Sequence, residues 1–478
     1  MKHLLFVLSV TLCLTMQTAL ANKIKVSNVQ IISQDTATNI SVIQCDVSWD
    51  NSWRDAINWD AAWVFVKYKG SSGTWSHASL ASGGFSSPSG SQISSPSDNK
   101  GFFIYRSAVG TGSNNWTVSL PWDYGASGLS DNDIVYANVY AVEMVYVPQG
   151  SFSVGDPNGP SGPTNCFYRG FLGSGAYEIN SEGSIIVGNS ILNSLYYANL
   201  NGYSGDQSGP IPAAFPKGYD AFYCMKYEIS QGQYTDFLNS LTSTQAANRY
   251  YATFSNRHTI FGTYPNYIVS RPDRACGYIG WADGVANADW AALRPMTELE
   301  FEKACRGNLP PLANEYAWGT TTILYATNIS GTEDGTETIT DVSANCAYSA
   351  VNYIGGDAGQ GPLRCGIFAT TTSSRTAAGA TYYGVMEMSG NLKEQIVSVG
   401  HADGRAFTGN HGNGSLDVNG DANVVNWPGT GNTGHGFRGG GWETSSTYCQ
   451  IASRHNASDF DSPTSRQNSG FRSVRTAP

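Results

Sequence analysis

Residues 293–307 read LRPMTELEFEKACRG, and this stretch decides how the second half of the chain is built. Thr297 is followed three residues later by Glu300, the spacing of a capping box that opens a helix. Behind that start, Glu300, Glu302 and Arg306 follow on the helix, with Glu302 and Arg306 at the four-residue spacing that allows side-chain pairing. Arg294 and Glu298 flank the helix start. Working upstream, 280–292 supplies another short helix, and AFYCMKYEISQGQYTDFLNSL (221–241) carries apolar residues at helical spacing from Gln231 to Leu241, with Ser230 as N-cap. Downstream, almost everything to the C-terminus is rich in Gly, Ser, Thr and Asn, with few regular segments expected.

The first third reads differently. In ISVIQCDVSW (40–49), Ile43, Cys45, Val47 and Trp49 alternate with polar neighbours, and AAWVFVKYK, NWTVSLPW and DIVYANVYAV have the same β-strand character. Between them, 71–101 is dominated by Ser, Gly and Pro, as surface loops are. Short strands joined by such loops over 22–142 predict a β-sandwich, with Trp49, Trp63 and Trp116 in its core. No flexible linker parts this segment from the second half of the chain: 134–156 runs from the last strand straight on. The fold class expected is therefore α+β and loop-rich, with an all-β sandwich first and a second domain over 143–478.

At the N-terminus, Lys2 and His3 precede an apolar run and the small residues of Ala19-Leu20-Ala21. This predicts a signal peptide over 1–21 and a secreted or cell-surface protein. No later stretch reaches the roughly 18 apolar residues of a membrane span. A formal charge of −10 without Lys/Arg clusters argues against nucleic acid as a partner. The eight cysteines beyond the signal permit disulfides in an exported chain, but they are widely spaced and contain no CxxC, so no connectivity can be assigned.

Five segments together resemble the formylglycine-generating enzyme (sulfatase-modifying factor) family: MVYVPQGSFSVGD (144–156), MKYEISQGQYTDFL (225–238), LRPMTELEFEKACRG (293–307), YYGVMEMSGNLKE (382–394) and FRGGGWE…NSGFRSVR (437–475). The resemblance implies a C-type-lectin-like fold for 143–478. It also implies a site in which two cysteines shortly after a Gly-Gly bind copper(I) and oxidise a protein cysteine with oxygen. Soft thiolates suit that ion. Cys449 matches the second cysteine, but the first position is Thr444, a hard hydroxyl donor. The serine expected after Gly-Gly is Gly441, the histidine after the first cysteine is Ser445, and two tryptophans flanking the motif glutamate are Lys393 and Gln395. These departures cluster on the site, so the resemblance predicts a scaffold without the oxidase chemistry, and copper only if the chain is catalytic.

Calcium is the other ion considered, because it takes carboxylate and carbonyl oxygens. The resemblance points to Asn391 and Glu394. A second run, SLDVNGDANVVNWP (415–428), places Asp417, Asn419 and Asp421 at the first, third and fifth positions of a calcium loop. It lacks the loop's glycine and its terminal glutamate. Three functions remain: a non-catalytic surface protein for adhesion, extracellular assembly or ligand recognition; a formylglycine-generating oxidase; and a carbohydrate-binding module, encouraged by 27 Tyr and 12 Trp. The expected partner is a protein or a glycan, and self-assembly is open.

Overall fold

The computed structural model describes residues 24–70, 73–370, 372–431, 433–459 and 467–478. The signal peptide expected at 1–21 lies outside them. Sheet dominates, helices are few and short, and long loops fill much of the second half.

The early strands are β1 (Lys25–Asp35), β2 (Ile40–Arg54), β3 (Asp60–Lys69), β4 (Trp75–His77), β5 (Ser91–Ser94), β6 (Phe102–Arg106), β7 (Gly110–Asp123) and β8 (Tyr136–Val147). β1, β2 and β7 form a three-stranded antiparallel sheet. The other five belong to an eight-stranded sheet that continues past β8 into the strands Phe222–Met225, Ser473–Thr476 and Arg294–Pro295. β8 makes the connection. Its residues 136–145 pair with β3, and 144–147 pair with Phe222–Met225.

The alternation read in β2 holds: Ile43, Cys45, Val47 and Trp49 all point inward. They meet Ala62, Val64 and Val66 of β3 in one apolar layer between the two sheets. The other face of β3, with Ala61, Trp63 and Phe65, packs on a second layer shared with helices α1 (Gln231–Asn239) and α3 (Trp281–Trp290). A strand covered on both faces is apolar throughout, as AAWVFV is. Trp63 Nε1 donates to Ala291 O at 2.9 Å, a direct tie from the first third of the chain to the second.

α1 and α4 (Glu298–Arg306) begin at the caps their sequences announce, and the short α2 (Ser243–Arg249), not foreseen, begins at a box of Thr242 and Gln245. Ser230 and Gln233 form the box on α1, and Thr297 and Glu300 form it on α4. No described helix is long and apolar enough to cross a membrane.

Candidate functional site

α4 is the hub of the second half, and its acidic residues are buried. Glu298 accepts from Arg454 Nε at 2.7 Å and Arg438 Nη1 at 3.0 Å; Glu302 accepts from Arg438 Nη2 at 2.6 Å. Burial opposes ionisation of Glu298, but the Arg454 and Arg438 guanidiniums outweigh it and hold the carboxyl below its usual range. Arg294 grips Glu300 with both terminal nitrogens, at 2.6 and 2.9 Å. Arg306 reaches back to Ser153 O and Gly155 O, and Glu302 accepts from Gly155 N at 2.6 Å. Arg472 pairs with Glu394 at 2.8 Å and donates to Met225 O and Met386 O. Arginines thus pin segments distant in sequence onto one frame.

On that frame the strands Lys393–Val397 and His435–Arg438 pair antiparallel, and the chain then turns through Gly439 and Gly440. Both glycines have positive φ, 80° and 64°. Cys449 comes at the end of the 3₁₀ turn Ser446–Cys449 and is fully buried. Thr444 Oγ1 lies 3.9 Å from Cys449 Sγ. Its hydroxyl is occupied locally: it accepts from Gly441 N and donates to Gly441 O, each at 2.9 Å.

The structure brings a second thiol here that the sequence did not single out. The 346–350 segment runs beside the 442–444 turn, with Ser349 N donating to Thr444 O at 2.8 Å and Ala350 N to Trp442 O at 2.7 Å. Cys346 consequently sits against Cys449; burial, and then the Cys449 thiol, push the Cys346 thiol well above its usual range. Ser389 joins them, its carbonyl accepting from Cys346 Sγ at 3.0 Å and its hydroxyl donating to Cys449 O at 2.6 Å. Gly390 N donates to Gly439 O at 2.8 Å, so the two sulfurs rest over one glycine-paved floor. No local signal marks Cys346, because about a hundred residues of loop separate it from Cys449.

For copper(I), the donor at Thr444 does not fit; Cys346 is the soft donor present instead. Access is narrow. The hollow beside Gly440, walled by Lys393, Tyr448 and His455, measures about 10 Å³, room for about one water. Tyr448 Oη and His455 Nε2 stand 3.2 Å apart across it. Gln395, the other residue in place of a family tryptophan, bonds Ile279 O and Gly470 O.

The residues expected to hold calcium have other partners. Asn391 donates to Glu228 Oε2 at 2.9 Å and accepts from Leu363 N at 2.8 Å, while Glu394 faces Arg472. A guanidinium already stands where the cation's charge belongs, so this pair does not fit the ion as it is arranged. In the second run, Asp417 Oδ1 accepts from Asn419 N and Asp421 N, closing a turn on itself; Asn419 O accepts from Asn248, and Asp421 pairs with Arg249 at 2.8 Å. That turn is tied to α2, and a guanidinium already neutralises Asp421, so the run does not fit calcium as it is arranged. All eight cysteines beyond the N-terminus are free, buried thiols.

A family profile described as the sulfatase-modifying factor enzyme 1-like domain matches residues 135–477. The chain is 28% identical over 131 residues to the formylglycine-generating enzyme of Bos taurus, covering 22% of this chain and 35% of that one. It is 42% identical over 52 residues to the enzymes of the same name from Streptomyces coelicolor and Thermomonospora curvata, covering 11% of this chain and 16% of each of theirs. The matched stretches thus span about a third of the bovine protein and about a sixth of the bacterial ones.

Proposed function

The chain belongs to the sulfatase-modifying factor enzyme 1-like family, and from that premise we propose that it is an exported, non-catalytic member. In this reading an N-terminal β-sandwich and the family scaffold serve adhesion or extracellular assembly at a cell surface, with a protein or glycan as partner. One observation carries it. Thr444, at the position of the first family cysteine, has its hydroxyl turned into its own backbone loop. The burial of Cys449 adds support, since its sulfur is not presented at the surface.

The test is to load the purified protein with copper(I) and offer a Cys-x-Pro-x-Arg peptide under oxygen. No aldehyde is expected. Size-exclusion chromatography of the mature protein then reads assembly, and a glycan array reads sugar binding.

A second reading, a formylglycine-generating oxidase, has the Cys346–Cys449 contact in its favour. Copper(I), when bound, would supply oxygen activation. Cys346 and Cys449 would hold it. Oxygen-dependent aldehyde formation that disappears in both Cys346→Ser and Cys449→Ser would establish this reading and end the first.

A further inference from the structure

A cleft of about 230 Å³ opens where β8 loses its neighbour. The strand Phe222–Met225 accompanies β8 only along 144–147. Beside 138–142 no described strand takes its place on that edge. The cleft is walled instead by Ile24 and by Lys25, Val26 and Val29 of β1, by α1 and by α3. Val26, Val142, Ile229 and Leu293 supply its apolar walls.

Polar side chains share the lining: Lys25, Asn138, Tyr140, Gln233, Asp236 and Asn287. Asp236, on α1, has no hydrogen bond or ion pair among the described residues, and burial pushes its carboxyl up to about 7. Asn287, on α3, is 7% exposed, and its side-chain amide likewise has no partner among the described residues. A carboxylate and an amide with no protein partner in a concave site are the kind of polar group that orients a ligand. A carboxylate without a cation repels anions and favours a cation. The apolar walls favour a hydrocarbon stem. The volume is well beyond the roughly 10–15 Å³ that one water needs, so a small organic molecule fits.

We propose that this cleft binds a small primary ammonium on an apolar stem, the ammonium between Asp236 and the Asn287 amide and the stem along Val142, Ile229 and Leu293. The site is separate from the thiol pair, and its existence does not depend on the adhesive reading.

Hexylamine is the probe, titrated into the full-length mature protein and followed by calorimetry, with hexanol and hexanoate as controls. Its dissociation constant is expected on the order of millimolar for a ligand of this size. Hexanol and hexanoate are expected to bind at least about tenfold more weakly. Asp236→Asn is expected to weaken hexylamine to the level of hexanol. Because that variant removes a half-buried carboxylate with no ion-pair partner among the described residues, its melting temperature at pH 8 is expected to equal or exceed the parent's, which shows that it folds. Affinity should rise between pH 6 and pH 8. Asp236 ionises across that range, whereas the amine, with a pKa near that of lysine at about 10.4, stays charged. The other titratable groups facing the cleft are Tyr140 from β8 and Lys25 from β1; α3 presents the neutral Asn287 and Trp290, and α1 the neutral Gln233. Equal binding of hexanol, retention of hexylamine affinity in Asp236→Asn, or no binding of hexylamine at all would each overturn the proposal.

Discussion

A methyl group at position 440 would strike sulfur. A Cβ built there lies 2.7 Å from Cys449 Sγ and 2.9 Å from Thr444 Oγ1, and one at Gly390 lies 2.3 Å from Cys346 Sγ. Both positions also have φ in the left-handed region. Overpacking costs about 1–3 kcal/mol and left-handed backbone about 1–2 kcal/mol. Gly440→Ala is therefore expected to lose roughly 2–5 kcal/mol in urea unfolding, and a loss below about 1 kcal/mol would contradict the packing described. Thr444→Cys asks a different question. It sets a thiol where the hydroxyl now stands 3.9 Å from Cys449 Sγ, and is expected to raise copper(I) affinity at least about tenfold in chelator competition, as soft donors replace a hard one. If the parent binds copper(I) as tightly as the variant, Cys346 is already the second donor. Thr444 and Cys449 were legible in the sequence because they stand at fixed steps from Gly-Gly. Cys346 and Asp236 were not, since a thiol's neighbour across a loop and a carboxylate's lack of one both depend on how distant segments meet.

At the level of elements, α4 was the most legible feature and its partners the least. Capping chemistry is local, so Thr297 and Glu300 announced the helix start; Thr297→Ala is expected to cost about 1 kcal/mol through the lost cap. Arg438 and Arg454 join Glu298 from 140 and 156 residues away, beyond any spacing rule. Glu298→Ala leaves two buried guanidiniums short of a carboxylate and is expected to cost about 3–5 kcal/mol in chemical denaturation. The strand His435–Arg438 carries a pH-dependent contact. His435 stacks on Trp281 of α3, ring centroids 4.5 Å apart. Burial lowers its pKa to about 4, against a slight opposing pull from the Gly431 carbonyl. The unfolded chain binds its proton near pH 6.5, so between pH 6.5 and 4 the unfolded state holds more protons. The stability from neutral His435 is full above pH 6.5 and is lost as pH falls toward 4. The melting temperature of His435→Gln is accordingly expected to fall less steeply than the parent's over that window, and parallel curves would refute the assignment.

For the whole molecule, the sequence showed strands before helices and a chain without a linker, and the structure explains the missing linker. β8 is one unbroken strand that pairs with β3 along most of its length and with Phe222–Met225 at its end. Alternation made β2 and β8 readable as strands. Which strand lies beside which was not readable, because pairing between Phe222–Met225 and Ser473–Thr476 spans about 250 residues of loop-rich chain. The Trp63 bond to Ala291 and the shared apolar layer beneath β3 bind the halves further. Calorimetry is expected to give one melting transition, and two resolved peaks would mean that the halves unfold apart.

A shared strand also fixes what happens when the polypeptide is divided. Scission before Tyr136 strips β3 of its companion, and scission after Val147 deprives Phe222–Met225 of one; either fragment displays a raw hydrogen-bonding edge, the kind that recruits stray chains into aggregates. Each piece expressed singly is thus expected to precipitate, whereas co-expression lets the severed halves rejoin along that seam and return to solution.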